Sequence, residues 1–336
     1  MRRIACLLSL FAFLWGPTPV LRAAEPFLVF QPQGHVKGKN IVLVSGDEEY
    51  RSEESLPQLA KILSTYHGFH CTVLFAIDPK NGMIAPNQLD NIPGLDALDS
   101  ADLMVILTRF RNLPDDQMKH IVDYVNSGKP IVGMRTATHA FQLKSSPTYA
   151  NYSWNSRDSR DGGFGRMVLG ETWIRHHGDH GKQSTRGVLN PKEMANPILR
   201  GIHDGELWSK TDVYEVRLPL PDDSKTLVFG QVLSGMDPKD PPVSGAVNDP
   251  MMPIAWTKTY TGSSGKTARV FATTLGTSED LLTEANRRLL VNACYWALGL
   301  EQQIKTKEKV GLVGKYNPHP FGFDGYVRGL TPEDLR

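Results

Sequence analysis

Residues 41–63, IVLVSGDEEYRSEESLPQLAKIL, place an apolar run, a charged loop and an amphipathic helix in direct succession. The run Ile41–Val44 has no polar alternation, which is typical of a strand buried on both faces. Leu56–Leu63 carries its apolar residues at helical spacing. A buried strand, a short loop and a helix begin a βαβ unit, so this stretch predicts a parallel sheet covered by helices.

The same alternation continues along the chain. Three further strands and one helix are predicted in the first half: Cys71–Ile77, Leu103–Leu107, 129–134 and the helix 113–128. The middle, residues 145–265, is richer in Pro, Gly and Asn, and its predicted strands are shorter: Val213–Val216, Thr226–Val232 and Ile254–Thr257. The end returns to the sheet with a strand at Val270–Thr274 and one long helix from Ser278, its N-cap, to Gly299.

The composition is that of a globular protein with balanced charge. The 336 residues include 37 basic and 36 acidic side chains, a formal net charge of +1. This balance gives no support to a nucleic-acid partner or to an anionic membrane, so a ligand needs a local site. Beyond the N-terminal segment the cysteines are Cys71 and Cys294, which are compatible with one disulfide or with two buried free thiols. The oligomeric state is not indicated.

The N-terminus has the pattern of a secretory signal peptide. Residues 1–3 include two arginines, residues 4–15 form an apolar run, and small residues precede position 25. The apolar run is too short to cross a bilayer, and no later stretch approaches the required length. We therefore predict a signal peptide at 1–24, with periplasmic or extracellular export and no membrane insertion after cleavage.

The charged loop of the opening stretch lies where a ligand is expected. Parallel sheets bind ligands beyond the carboxyl ends of their strands, and Asp47–Glu54 follows the first strand directly. The end of this loop, from Ser52 on, could cap the helix and favour its dipole. That structural explanation does not cover Glu49, Tyr50 and Arg51, which are candidates for residues that face a pocket.

Two other strand ends carry candidate groups. Arg109, after the third strand, is either a surface arginine or a clamp for an anion or hydroxyl group. The fourth strand leads into GMRTATHAF, residues 133–141, a turn with the geometry of a nucleophile elbow. Its elbow residue is Arg135, which is not a nucleophile, and Thr136 is a poor one without a base. Arg135 and Thr136 are candidates for substrate binding, and His139 is a candidate base.

The segment WIRHHGDHGKQSTRG, residues 173–187, has the densest chemistry in the chain. One hypothesis is a divalent metal held by His176, His177 and Asp179. A second is substrate binding by Trp173 and Arg186, with His180 as base, and a third is a polar loop with incidental histidines. By contrast GSSGKT, residues 262–267, lacks the spacing of a phosphate loop and predicts a hairpin turn.

Taken together, these motifs resemble the ThuA-like (trehalose-utilisation) family of the class I glutamine amidotransferase-like superfamily. The likeness covers about 38–302, from the opening stretch through GMRTATHAF to RVFATTLGTSEDLL. It implies a flavodoxin-like three-layer α/β sandwich with a mostly parallel sheet, followed by an irregular C-terminal extension, 303–336, packed on the domain. It also implies a small-molecule carbohydrate as ligand.

The sequence departs from a working amidotransferase in two places. Arg135 stands at the elbow in place of cysteine, which excludes glutaminase chemistry by a thiolate. The last strand ends in Leu275-Gly276-Thr277, without the histidine that many ThuA-like members carry there. No residue-by-residue mechanism therefore carries over from the resemblance.

Three functions are compatible with these observations. The first is an exported enzyme that acts on a keto-glycoside or disaccharide by acid–base catalysis, with His180 or His139 as base, Glu49 as partner, Arg135 or Arg186 stabilising the oxyanion, and a divalent metal as an optional cofactor. The second is a non-catalytic carbohydrate-binding protein, with stacking on aromatic residues: Tyr50, Trp154 and Trp173. A triad hydrolase ranks last, because no Ser or Cys elbow exists in the chain.

Overall fold

The computed structural model describes residues 25–157, 162–221 and 223–336. The predicted signal peptide, residues 1–24, lies outside the described residues. The described strands are β1 (Phe27–Phe30), β2 (Asn40–Gly46), β3 (His70–Leu74), β4 (Leu103–Thr108), β5 (Ile131–Met134), β6 (Arg175–His176), β7 (Thr185–Leu189), β8 (Trp208–Ser209), β9 (Tyr214–Glu215), β10 (Lys225–Val232), β11 (Met252–Thr261) and β12 (Thr267–Thr273). The described α-helices are α1 (Ser52–His67), α2 (Asp115–Asn126) and α3 (Glu284–Ala297).

The main sheet has the strand order β1-β3-β2-β4-β5-β12-β11-β10-β7-β8. Its central strands β3, β2, β4, β5 and β12 are parallel. Each outer strand pairs antiparallel with its neighbour. These strands are β1 on one side of the parallel block and β11, β10, β7 and β8 on the other. The parallel block has the flavodoxin-like order, which confirms the predicted fold class. The chain reverses its direction of strand addition between β2 and β4, so the switch point lies there.

Helices cover both faces of this sheet because its strands are apolar on both sides. Ile41 and Leu43 of β2 belong to one core cluster, and Val42 and Val44 belong to the other. The first cluster includes buried residues of α1 and α3, and the second includes those of α2. The result is a three-layer sandwich, as predicted.

Most predicted elements are present, and several of them differ from the prediction in their bounds. The strand predicted at Cys71–Ile77 ends at Leu74, and Ile77 instead forms an isolated antiparallel bridge with Ile84. Gly262–Lys266 forms the turn of the β11–β12 hairpin, with the Gly262 N–H 2.9 Å from the Lys266 carbonyl oxygen. The hairpin prediction for this segment is confirmed.

The single C-terminal helix predicted from Ser278 is wrong, because the chain bends before α3. Ser278–Leu282 is a separate 3₁₀ turn, and Thr283 has the extended conformation φ −82°, ψ 122°. Ser278 caps no long helix; its hydroxyl donates to the His319 carbonyl. The buried Asp280 carboxylate accepts the Gly276 N–H and fixes the turn.

Both remaining cysteines are buried and free in this structure, with Cys71 in β3 and Cys294 in α3. None of the described helices combines the length and apolar character needed to cross a bilayer.

Candidate functional site

The candidate site lies at the carboxyl ends of β2, β4 and β5, beside the switch point of the sheet. Loop 47–51 follows β2, Arg109 follows β4 and Arg135 follows β5. These segments are far apart in the sequence, and the parallel register brings them to one edge.

Asp47 fixes the shape of the loop after β2. Its Oδ1 accepts the N–H groups of Glu49 and Tyr50 at 2.7 and 2.6 Å, and its Oδ2 accepts the Thr136 hydroxyl. Burial and then the charge of Glu48 raise the pKa of Asp47 to about 6. Thr136 is therefore engaged in holding the loop, although it was predicted to bind substrate.

Arg135 is an internal support of the site. It has φ 41°, a conformation that favours glycine, and it is fully buried. One guanidinium nitrogen donates to the carbonyls of Asp212 and Thr274 at 2.8 Å, and the other lies 3.1 Å from both the Tyr50 hydroxyl and Asp212 Oδ1. Its guanidinium lies 3.7 Å from the Tyr214 ring centroid. A substrate cannot reach this cation, so Arg135 acts by positioning Asp212.

Asp212 in turn holds two histidines. Its Oδ2 is 2.7 Å from His176 Nδ1, and its Oδ1 is 2.9 Å from His180 Nδ1. On the other side of its ring, His180 Nε2 lies 3.0 Å from Glu49 Oε1. The His176 and His180 rings are 4.5 Å apart, and their side chains are 39% and 32% exposed, whereas Asp212 is fully buried. We call these four residues the histidine–carboxylate cluster.

The ionisation of the cluster follows from these contacts. Hydrogen bonds to Asp212 and Glu49 raise the pKa of His180 to about 9, against the smaller effect of burial. Burial opposes ionisation of Glu49, but the hydrogen bond from His180 and the charge of Arg109 outweigh it and lower its pKa. The pKa of Asp212 is also lowered, since the contacts with His176, His180 and Arg135 outweigh its burial.

His139, predicted as an alternative base, lies outside this cluster. It is 2% exposed, its Nδ1 is 3.2 Å from the Thr138 hydroxyl, and its ring packs against Phe110 and Trp173. Burial, and then the positive charge of Arg109, lower the pKa of His139 well below its ordinary value. His139 is an uncharged core residue without access to a substrate.

Arg109 connects the loop after β2 with β4. It binds Glu48, which also binds the buried Arg111, and its Nε lies 3.4 Å from Glu49 Oε2. The Arg109 side chain is 19% exposed. It is therefore the arginine of the site that a substrate can reach, in agreement with its predicted position.

The predicted metal ligands do not all come together. His177 Nε2 bonds to the Val247 carbonyl at 2.7 Å, and Asp179 is exposed, with its carbonyl accepting turn N–H groups. Of that set only His176 belongs to the cluster, because β6 pairs with β9 at His176↔Tyr214 and thereby places it near Asp212. The ligand atoms of His176, His180 and Asp212 all lie within 4.8 Å of one another, so this trio could hold a cation.

Two predicted substrate arginines bind the protein itself. Arg186 donates to the carbonyls of Pro238 and Asp240 at 2.6 and 3.0 Å, away from the cluster. Arg51 is fully buried and donates to the carbonyl of Gly322 in the C-terminal segment. Both have structural roles here.

Aromatic rings flank the cluster. Trp173, predicted from the sequence, is 5.7 Å from the ring of His176. Phe321 lies 5.5 Å from the ring of His180 and stacks on Tyr50 at 5.6 Å. Tyr50 itself is fully buried and faces Arg135 with its hydroxyl.

Sequence reasoning missed Asp212 and Phe321. Asp212 is a single carboxylate before a two-residue strand, and no spacing pattern marks it. Phe321 was part of an aromatic tail predicted to pack on the domain, and its ring reaches the cluster because Gly322 N–H donates to the Glu49 carbonyl at 2.8 Å. The tail is further held by the Tyr316 hydroxyl, which donates to the Ser278 carbonyl at 2.8 Å.

A separate cavity lies beside the end of α2 and the β11–β12 hairpin. It is lined by residues of the α2 end and of β11, among them Tyr152, Lys258 and Tyr260. None of its lining residues belongs to the histidine–carboxylate cluster.

No curated protein matches this chain. Among solved structures, a ThuA-like protein from Parabacteroides merdae has 16% identity and a TM-score of 0.49, over 85% of this chain and 97% of that chain. A ThuA-like protein from Bacteroides uniformis has 14% identity and a TM-score of 0.44, over 79% and 94%. A protein of Salmonella typhimurium described as cytoplasmic has 11% identity and a TM-score of 0.43, over 76% and 98%.

The ThuA family, described as trehalose utilisation, matches residues 40–297, a range that contains the whole histidine–carboxylate cluster. This description supports a carbohydrate-related role. The family match confirms the resemblance found in the sequence, and the chain belongs to the ThuA family.

Proposed function

We propose that this chain is an enzyme that removes the proton next to the ketone of a keto-glycoside or keto-disaccharide. The observation that carries the proposal is the contact between Glu49 Oε1 and His180 Nε2, 3.0 Å apart, with His180 oriented from behind by Asp212. The ionised Glu49 carboxylate is the base, and the protonated His180 holds it in position. A base held in this way by a second group is the recurrent arrangement of acid–base sites. The family description supports a sugar as substrate.

The chemistry suits these groups. Protons next to a ketone are acidic enough for a carboxylate or an imidazole to remove, without a nucleophile or a redox cofactor. Negative charge then develops on the ketone oxygen and needs a positive neighbour. Arg109 is partly exposed beside Glu49 and supplies one, whereas the buried Arg135 and the distant Arg186 do not.

The flanking rings suit a sugar. Trp173 lies beside the ring of His176, and Phe321 lies beside the ring of His180, so the two partly exposed imidazoles are flanked by aromatic rings. The apolar faces of pyranose rings stack on such aromatic side chains. Export through the N-terminal segment 1–24 belongs to the same proposal and places the substrate outside the cytoplasm.

Deuterium exchange tests this function. In D₂O, the wild-type protein is expected to exchange the hydrogen next to the ketone of a keto-glycoside from a small panel, followed by NMR. Glu49→Gln and His180→Asn should each slow the exchange by about 100-fold or more. His177→Asn is the matched control, because His177 bonds to Val247 outside the cluster and should leave the rate unchanged. Equal rates in wild type, Glu49→Gln and His180→Asn would contradict the proposal.

A carbohydrate-binding protein without turnover is the second candidate. It is favoured by the indole N–H groups of Trp154 and Trp173, which are buried and have no hydrogen-bond partner among the described residues. A ligand hydroxyl could accept from either. Calorimetry that shows glycoside binding, together with no exchange for any ketone of the panel, would support this candidate against the enzyme.

A further inference from the structure

We propose that His176, His180 and Asp212 bind one divalent transition-metal cation such as Zn²⁺ or Mn²⁺. The inference deepens the proposed function and rests on the same site, to which it adds a cofactor. Two imidazoles and one carboxylate form a donor set that suits these cations better than Mg²⁺, which prefers oxygen ligands.

The distances fit a shared ion. Asp212 lies 2.7 Å from His176 Nδ1 and 2.9 Å from His180 Nδ1, and all three ligand atoms lie within 4.8 Å of one another. Ligand atoms bound to one ion at about 2.1 Å are about 3.4 Å apart in tetrahedral coordination and about 3.0 Å apart in octahedral coordination. The cluster needs little movement to close around a cation.

The surroundings hold the ligands in place. The β6–β9 pairing fixes His176 beside the end of β9, and Arg135 fixes the buried Asp212 from the interior. Such supporting contacts set the orientation of metal ligands. The charge of Arg135 compensates that of Asp212 on its buried side, while the partly exposed histidines leave the opposite side open to an ion from solvent.

Glu49 remains the proton acceptor when a cation is bound. His180 becomes a ligand, and Glu49, 3.0 Å from its Nε2, remains as the base. The C–H electron pair moves into the carbonyl group to give an enolate, the proton goes to the Glu49 carboxylate, and nothing is oxidised or reduced. A cation held by His176, His180 and Asp212 would supply Lewis-acid stabilisation of the negative charge on the enolate oxygen.

The test measures metal binding without substrate. Untagged full-length protein, stripped with EDTA, is titrated calorimetrically with ZnCl₂, MnCl₂ and MgCl₂ separately. Wild type should bind one Zn²⁺ or Mn²⁺ per chain and bind Mg²⁺ far more weakly. His176→Ala should weaken binding more than about 100-fold, since the loss of supporting contacts alone costs 10- to 100-fold. His176 is partly exposed, so the variant should fold, which circular dichroism checks.

The controls separate this inference from the proposed function. His177→Ala should bind the ion as wild type does, because His177 lies outside the trio. Glu49→Gln should retain the ion while it loses deuterium exchange. The metal site alone is overturned if wild type binds no stoichiometric ion, or if His176→Ala and His180→Ala bind the ion as tightly as wild type does. Ion binding with no exchange by any ketone overturns the proposed function alone.

Discussion

The buried pair Arg135–Asp212 supports the whole site, and a double-mutant cycle measures this support. The variants are Arg135→Met, Asp212→Asn and the two together. Both side chains are fully buried, with the guanidinium 3.1 Å from the carboxylate. Each single substitution leaves the other residue in the interior without its partner, whereas the double substitution removes both charges.

The expected magnitudes follow from that burial. Removing one partner of a buried ion pair costs roughly 3–5 kcal/mol, because an uncompensated charge remains. Arg135→Met should lie at the lower end, since Asp212 retains the contacts with His176 and His180. The double variant should cost less than the sum of the single variants by about 2 kcal/mol, within the range found for residues in contact.

Urea unfolding followed by circular dichroism, in EDTA, gives the free energies of unfolding for the four proteins. The exposed pair Arg175–Glu215, with Arg175 72% exposed, is the matched control and should show a coupling below about 1 kcal/mol. Additive costs at Arg135 and Asp212, within about 0.5 kcal/mol, would refute the reasoning that the two charges compensate each other.

Two further predictions concern a buried carboxyl and the C-terminal segment. Burial raises the pKa of Glu53 from 4.5 to about 8, so the folded state holds this proton more tightly than the unfolded state does. The free energy of unfolding of wild type, relative to that of Glu53→Gln, should therefore fall between pH 4.5 and 8. The expected fall is roughly 3 kcal/mol, at about 1.4 kcal/mol per pKa unit with allowance for relaxation of the buried site. Urea unfolding that gives the same difference between the two proteins at pH 5 and at pH 8 would contradict this. Phe321→Ala should raise the KM for a keto-glycoside about 5-fold with little change in kcat, since a stacked ring contributes about 1 kcal/mol. Val327→Ala, in the same segment but away from the cluster, should leave KM unchanged, and an equal KM in Phe321→Ala would exclude a substrate contact.

The parallel core of the fold could be predicted because short stretches of sequence determine its strands and helices. The apolar runs of β2, β4 and β5 lack alternation, and short loops join them to helices of clear periodicity. Loop 47–51, Arg109 and Arg135 each follow a parallel strand, so they were predicted to lie together at the carboxyl ends of the sheet. The break before α3 was not predictable, since the helical pattern continues through Thr283 and a buried hydrogen bond of Asp280 decides the bend.

The roles of single residues at the site were harder to predict. Sequence position showed that Arg135 and His139 follow a strand, but not that both face the interior. His176 and His177 are neighbours, and only the pairing of β6 with β9 decides which of them meets Asp212. Asp212 and Phe321 come from segments without periodicity, so their contacts depend on tertiary packing alone.

In the proposed mechanism, a sugar ketone binds over the histidine–carboxylate cluster. A crystal structure with a keto-glycoside, bound to the slow variant Glu49→Gln, tests it most directly. We expect the carbon next to the ketone within about 3.5 Å of the residue 49 side chain, between Trp173 and Phe321. A sugar bound instead in the cavity lined by Tyr152 and Tyr260, with the cluster free of ligand, would contradict it.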